Sequence, residues 1–265
     1  MSECSPDAFA MAGRTEMPMN VVAVIQHTAG EYLGLMEDHL EGRRIRFQYF
    51  RPFASGGKLP AKDLPADALI LLGGGPWGTS GVRDLPSLAE EIELTSARLR
   101  EGTPVIGIGL GAQILAIAAG GGVQATEFLF ESGKVTRTCD DALNGYLPDE
   151  FTQVTYMRDW PVPPDNARIL ATDEAGRTTV FQIGKNAFAF AGNPGIKLGM
   201  VEDLIMEFEE VPGNAASELE LLRDLQPRIE DELVPIMTGL VQCTFLMSSP
   251  KAAAQAADEL DKQVI

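Results

Sequence analysis

The chain has 265 residues, of which 45% are hydrophobic, enough for one sizeable core in a composition ordinary for a globular protein. Its 38 acidic against 21 basic side chains give a formal charge of -17, which repels phosphate backbones and anionic membranes and so excludes nucleic acid and membrane as partners. Cys4, Cys139 and Cys243 are widely spaced and have no CxxC or CxxH companions, so they predict no disulfide framework, no metal site and a reducing, cytoplasmic location.

Residues 1–19 are polar and Met-rich, with no basic segment leading into an apolar one, and predict a flexible leader rather than a signal sequence. The first β-type run is Val21 to Ile25. Helix-like and strand-like stretches then alternate: a helix over Glu31 to Leu40, a strand over Ile45 to Tyr49, a strand over Ala68 to Leu72, a helix over Leu85 to Arg100 and a strand over Val105 to Ile108. That alternation predicts βαβ units and a mostly parallel, doubly wound sheet with helices on both faces.

After a short helix at Ala112 to Ala119 the pattern changes to closely spaced strands at Lys134 to Arg137, Gln153 to Met157, Arg168 to Ala171, Thr178 to Ile183 and Ala187 to Ala191. These predict an antiparallel or mixed extension of the sheet. From Leu198 onward, amphipathic stretches at Val201 to Phe208, Ala216 to Leu240 and Ala252 to Lys262 predict helices. Leu219, Leu221, Leu222, Leu225, Ile229, Leu233, Ile236 and Leu240 fall mostly at i, i+3, i+4 and i+7 offsets and form one apolar face, expected to pack onto the parent domain, the other use being a partner or dimer face. The expected organisation is a leader at 1–19, a domain at 20–205 and a helical C-terminal extension at 206–265.

The most informative segment runs from Thr103 to Val123 and contains Gly107-Ile-Gly-Leu-Gly-Ala-Gln113: a buried strand, a sharp glycine turn and a short helix. It resembles the nucleophile elbow of class I glutamine amidotransferases, glycine-x-cysteine-x-glycine-x-glutamine. Gly107, Gly111 and Gln113 match, but Gly109 stands at the nucleophile's place. Upstream, Ala68-Leu-Ile-Leu-Leu-Gly-Gly-Gly-Pro-Trp77 resembles the strand and loop that supply the second oxyanion amide, with Gly74, Gly75 and Pro76 as that loop. Downstream, the best match to the family's phenylalanine-histidine-proline-glutamate run is Ala191-Gly-Asn-Pro-Gly195, which puts Asn193 where the general base belongs and Gly195 where its orienting carboxylate belongs.

The resemblance therefore implies a flavodoxin-like fold and a glutaminase framework without its cysteine-histidine-glutamate triad, kept as a subunit, scaffold or regulator. It also implies a vestigial oxyanion or ligand pocket at the elbow, formed by Gly74, Gly75, Pro76, Leu110, Gly111 and Gln113. Because such domains pair with ammonia-consuming synthetases, the resemblance implies a separate protein partner or a homo-oligomer, a possible small ligand in the old pocket, and no cofactor.

Weaker pocket candidates are His27, at the end of the first strand, and Tyr156, Arg158 and Asp159 beside Trp160. Cys139 is a reactive-thiol candidate without a neighbouring base. Two alternatives stay open: altered chemistry on the same scaffold, or dinucleotide binding, since Gly107 to Ala112 also fits glycine-x-glycine-x-x-alanine with Glu127 downstream to hold a ribose.

Overall fold

The computed structural model of the chain describes residues 20–247. The expected leader and the helix expected at Ala252 to Lys262 lie outside the described residues. Among the described residues, nine strands make one mixed sheet.

Its parallel half is, from the outer edge inward, β2 (Arg46–Phe50), β1 (Val21–Ile25), β3 (Ala68–Leu71), β4 (Val105–Ile108) and β11 (Ala187–Phe190). That is the flavodoxin-like order, with the crossover at β1 and β3. Its antiparallel half continues with β10 (Thr178–Ile183), β9 (Arg168–Asp173), β6 (Leu129–Arg137) and β7 (Glu150–Met157). The expected mixed extension is therefore present, joined to the parallel half through β11.

Strand residues alternate between two buried faces, because successive side chains point to opposite sides. Val22, Val24, Ile70, Ile106 and Ile108 face α1 (Met36–Gly42) and the second half of α5 (Ala215–Cys243). Ala23, Ile25, Leu69, Leu71 and Val105 face α2 (Leu88–Arg100) and α3 (Leu110–Ala118). This is the doubly wound arrangement. The apolar face expected on the long helix does pack onto the domain: Leu222 and Ile229 meet Tyr156 and α4 (Leu198–Glu207), while Leu233, Ile236 and Leu240 enter the main core.

Two local readings differ. The helix expected from Glu31 starts only at Met36, because Gly34 takes a left-handed φ of 62° and the segment before the helix is pinned sideways. Leu33 N donates to the Tyr49 hydroxyl at 3.0 Å and Leu35 N to the Gly195 carbonyl at 2.8 Å. A small second sheet, β5 (Gly122–Gln124) against β8 (Trp160–Val162), has no counterpart in the expected strands, since glycine and proline weaken both of its short runs.

Candidate functional site

The landmark segments converge at the carboxyl ends of four neighbouring parallel strands, β1, β3, β4 and β11, the place where open α/β sheets form ligand sites. The elbow follows β4. Gly109 has φ 56° and ψ -114°, a conformation in which ordinary side chains are strained, and its N–H donates to the Phe190 carbonyl at 2.9 Å. The flanking glycines are required by packing. A Cβ at Gly107 would lie 2.4 Å from the Gly111 carbonyl oxygen, and one at Gly111 would lie 2.1 Å from that of Leu71.

Position 109 itself has room. A Cβ there would meet only Gly73 Cα at 3.4 Å and the Ala191 carbonyl oxygen at 4.0 Å. It would therefore point between the β3 loop and the end of β11. The β3 loop closes over the elbow: a Cβ on Gly74 would come within 2.3 Å of Leu110 Cδ2, and Gly75 has φ 54° beneath Leu204 and Phe208.

A buried acid-base cluster holds this loop from below. Gly75 N donates to Glu31 Oε2 at 3.1 Å, and Glu31 packs so closely on Gly73 that a Cβ there would overlap its carboxylate. His27 spans the Gly73 carbonyl oxygen at 3.0 Å through Nδ1 and Glu91 Oε2 at 2.8 Å through Nε2. Ser87 Oγ donates to the other Glu91 oxygen at 2.6 Å.

Burial pushes the Glu31 carboxyl up to about 7, against the opposing pull of the Gly75 N–H and His27. Burial alone would lower His27, but the charge and hydrogen bond of Glu91, with the Gly73 carbonyl, raise it above its ordinary value. His27, a pocket candidate in the sequence, is thus held between the Gly73 carbonyl and Glu91. Glu31 and Glu91 were not among the expected site residues, because nothing in a helix-like sequence marks which carboxylates end up inside.

The third landmark follows β11. Asn193 is 5% exposed; its Oδ1 accepts from Gly195 N at 2.9 Å, while its Nδ2 is buried without a hydrogen-bond partner. Gly195 leaves no space for a side chain, since a Cβ would meet Met36 Cγ at 2.7 Å and the Leu33 carbonyl oxygen at 2.9 Å. Gly192 is equally tight against Gln153, whose Cγ would lie 2.1 Å from an added Cβ.

Gln113, Arg158 and Asp159 form a brace. Gln113 accepts from Thr79 Oγ at 2.8 Å and donates to the Arg158 carbonyl at 2.7 Å, so its amide is committed at both ends. Asp159, at φ 62°, accepts from Thr79 N at 2.9 Å, Ser80 N at 3.0 Å and Ser80 Oγ at 2.8 Å. Arg158 ion-pairs with Glu210, which also takes Arg83 at 2.6 Å. Tyr156 is buried against Phe128 and Phe130, its hydroxyl lacks a partner, and burial raises its pKa.

The dinucleotide alternative does not fit this geometry. It needs an acidic residue at the end of the strand beside the glycine turn, but β4 lies between β3 and β11, and Glu127 sits exposed on the link from β5 to β6. Cys139 is half-buried with its sulfur 3.8 Å from the Ile169 carbonyl, away from the elbow. Among the described residues no cluster of His, Cys, Asp or Glu could hold a metal ion, and no helix is long and apolar enough to cross a membrane.

Residues 47–192 match the family model for Glutamine amidotransferase class-I. No match was found among curated proteins. Solved structures similar to the chain include a glutamine amidotransferase from Methylobacillus flagellatus, with TM-score 0.72 and 22% identity over 85% of this chain and 96% of that one. Another is a glutamine amidotransferase from Thermotoga maritima, with TM-score 0.72 and 23% identity over 86% and 99%. A protein assigned to GMP synthase as one of its subunits, from Thermoplasma acidophilum, aligns with TM-score 0.50 and 19% identity over 79% and 98%.

Proposed function

Because the chain belongs to the glutamine amidotransferase class-I family, we propose that it is a member that binds and assembles rather than hydrolyses glutamine, serving as subunit, scaffold or regulator of a separate partner protein or of its own oligomer. The observation that carries this reading is residue 109: the elbow keeps its bent backbone and its open space, and the residue in it is a glycine with no atom to attack an amide. Asn193 has no basic nitrogen to accept a proton, and Gly195 has no carboxylate to orient one. Gln113 is spent on Thr79 and Arg158, which favours a structural over a ligand-gripping role.

A sensitive glutamate-release assay on the purified chain tests this. The expected result is no turnover above buffer, with Gly109→Cys still folded and still inactive because a thiol without a base stays mostly protonated. Glutamine hydrolysis by the unmodified chain would sink the proposal. Isolation of the untagged protein from its own cells, with identification of stable companions, tests the assembly half. Thermal shift with glutamine tests whether the old pocket still binds.

Altered chemistry is the second reading, favoured by the Glu31 carboxyl titrating near neutrality beside His27. It lacks a nucleophile, and both groups are engaged in holding the Gly73 to Gly75 backbone.

A further inference from the structure

To pass from β2 to β3 the chain must cross β1, a connection that in parallel sheets is usually a helix. Here Arg51 to Asp67 forms neither helix nor strand: Pro52, Pro60 and Pro65 withhold backbone donors, and Gly56 turns the chain at φ 75°. Between this loop and the start of α2 lies a cavity of about 630 Å³, at the carboxyl ends of β1, β2 and β3 and within the size range of small-molecule sites. Gly109, Gln113 and Asn193 do not line it, so it is separate from the elbow.

Its walls are apolar. Phe53 and Leu59 come from the loop, Trp77 follows β3, and Leu85 and Leu94 lie before and on α2. Phe53 is 45% exposed, a ring left open beside the cavity. Arg83 lies over the Trp77 ring without lining the cavity, so the cavity meets a part of that ring that Arg83 leaves free.

The polar groups in the lining are nearly all committed. His27 uses both ring nitrogens, on the Gly73 carbonyl and on Glu91. The half-buried Ser87 spends its one hydroxyl proton on Glu91 at 2.6 Å and keeps the capacity to accept. At the rim Lys62 pairs with Glu93, while Lys58 and Glu90 are exposed and opposite in sign, so the four charges cancel.

This lining selects an apolar body with one donor and no net charge. We propose that the cavity binds an uncharged aromatic heterocycle of the indole type, its ring set among Phe53, Leu59 and Trp77 and its N–H donating to Ser87 Oγ. The cavity shares His27 and Ser87 with the cluster beneath the Gly73 to Gly75 loop, but its occupancy does not depend on whether the chain hydrolyses glutamine.

Isothermal titration of the full chain with indole is the test. The expected result is a single site with Kd at or below about 1 mM, and binding of 1-methylindole, which has no donor, weaker by about fivefold or more. Indole-3-carboxylate and tryptamine should bind no more tightly than indole. Phe53→Ala should weaken binding several-fold, and Ala61→Trp, which sets a ring of the chain's own in the cavity lining, should abolish it. Both positions are exposed, so neither change threatens the fold. Ser87→Ala should bind indole and 1-methylindole equally. Absence of indole binding, equal binding of 1-methylindole by the parent chain, tighter binding of either charged analogue, discrimination that survives Ser87→Ala, or full binding by the Phe53 and Ala61 variants would each overturn the proposal.

Discussion

A carboxyl group held inside a protein at a pKa of about 7 makes stability depend on pH, and Glu31 is such a group. Its folded value lies above the ordinary 4.5, so the folded state binds the proton more tightly than the unfolded one. The resulting stabilisation is complete below the unfolded value and is lost as pH rises through 7, on the order of 3 kcal/mol between the two. Raised His27 acts in the same direction. Urea unfolding of Glu31→Gln should therefore show a shallower decline from pH 5 to 8 than the parent chain, because the amide keeps an oxygen for Gly75 N without a titratable proton. An unchanged decline would place the dependence elsewhere. The glycines make a second contrast: Gly109→Ala should cost about 1 kcal/mol for its backbone angle alone, whereas Gly111→Ala, with the Leu71 carbonyl oxygen 2.1 Å from its new atom, should cost about 3 kcal/mol or more. The elbow was legible in the sequence because glycine spacing records backbone needs directly. The Glu31, His27 and Glu91 cluster was not, since its members become neighbours only when β1, β3 and α2 meet.

The elements of the parallel half were legible from their apolar runs, because a strand covered on both faces has little room for polar residues. The start of α1 was not, since Gly34 and the tether to Gly195 override a helix-like pattern. The long helix α5 has a different lesson. Its first half shares a cluster with β7 and α4, and its second half lies in the main core. Leu233→Ala should cost about 2–5 kcal/mol, as for any large buried side chain. The parent chain should melt in one transition, and a separate early loss of helix signal by circular dichroism would show instead that α5 is an independent appendage.

Across the whole molecule, a formal charge of -17 opposes compactness, while the surface ion pairs contribute little each. Screening should therefore raise the melting temperature by roughly 2–5 °C between low and moderate salt, and a fall would mean that the ion pairs outweigh the general repulsion. The three positions set against the family's reactive groups hang from two strand ends, but they are not equally open to change. Position 109 has space for a Cβ, strained only by its backbone angle, and Asn193 already carries a side chain. Gly195 is different: Met36 and the Leu33 backbone occupy the volume that a side chain there would need. A side chain at 195 would have to loosen the start of the first helix, so Gly195→Glu should be less stable than the parent chain. On the proposed noncatalytic reading, the packing around Gly195 works as a ratchet: a carboxylate is harder to place there than a thiol is at position 109.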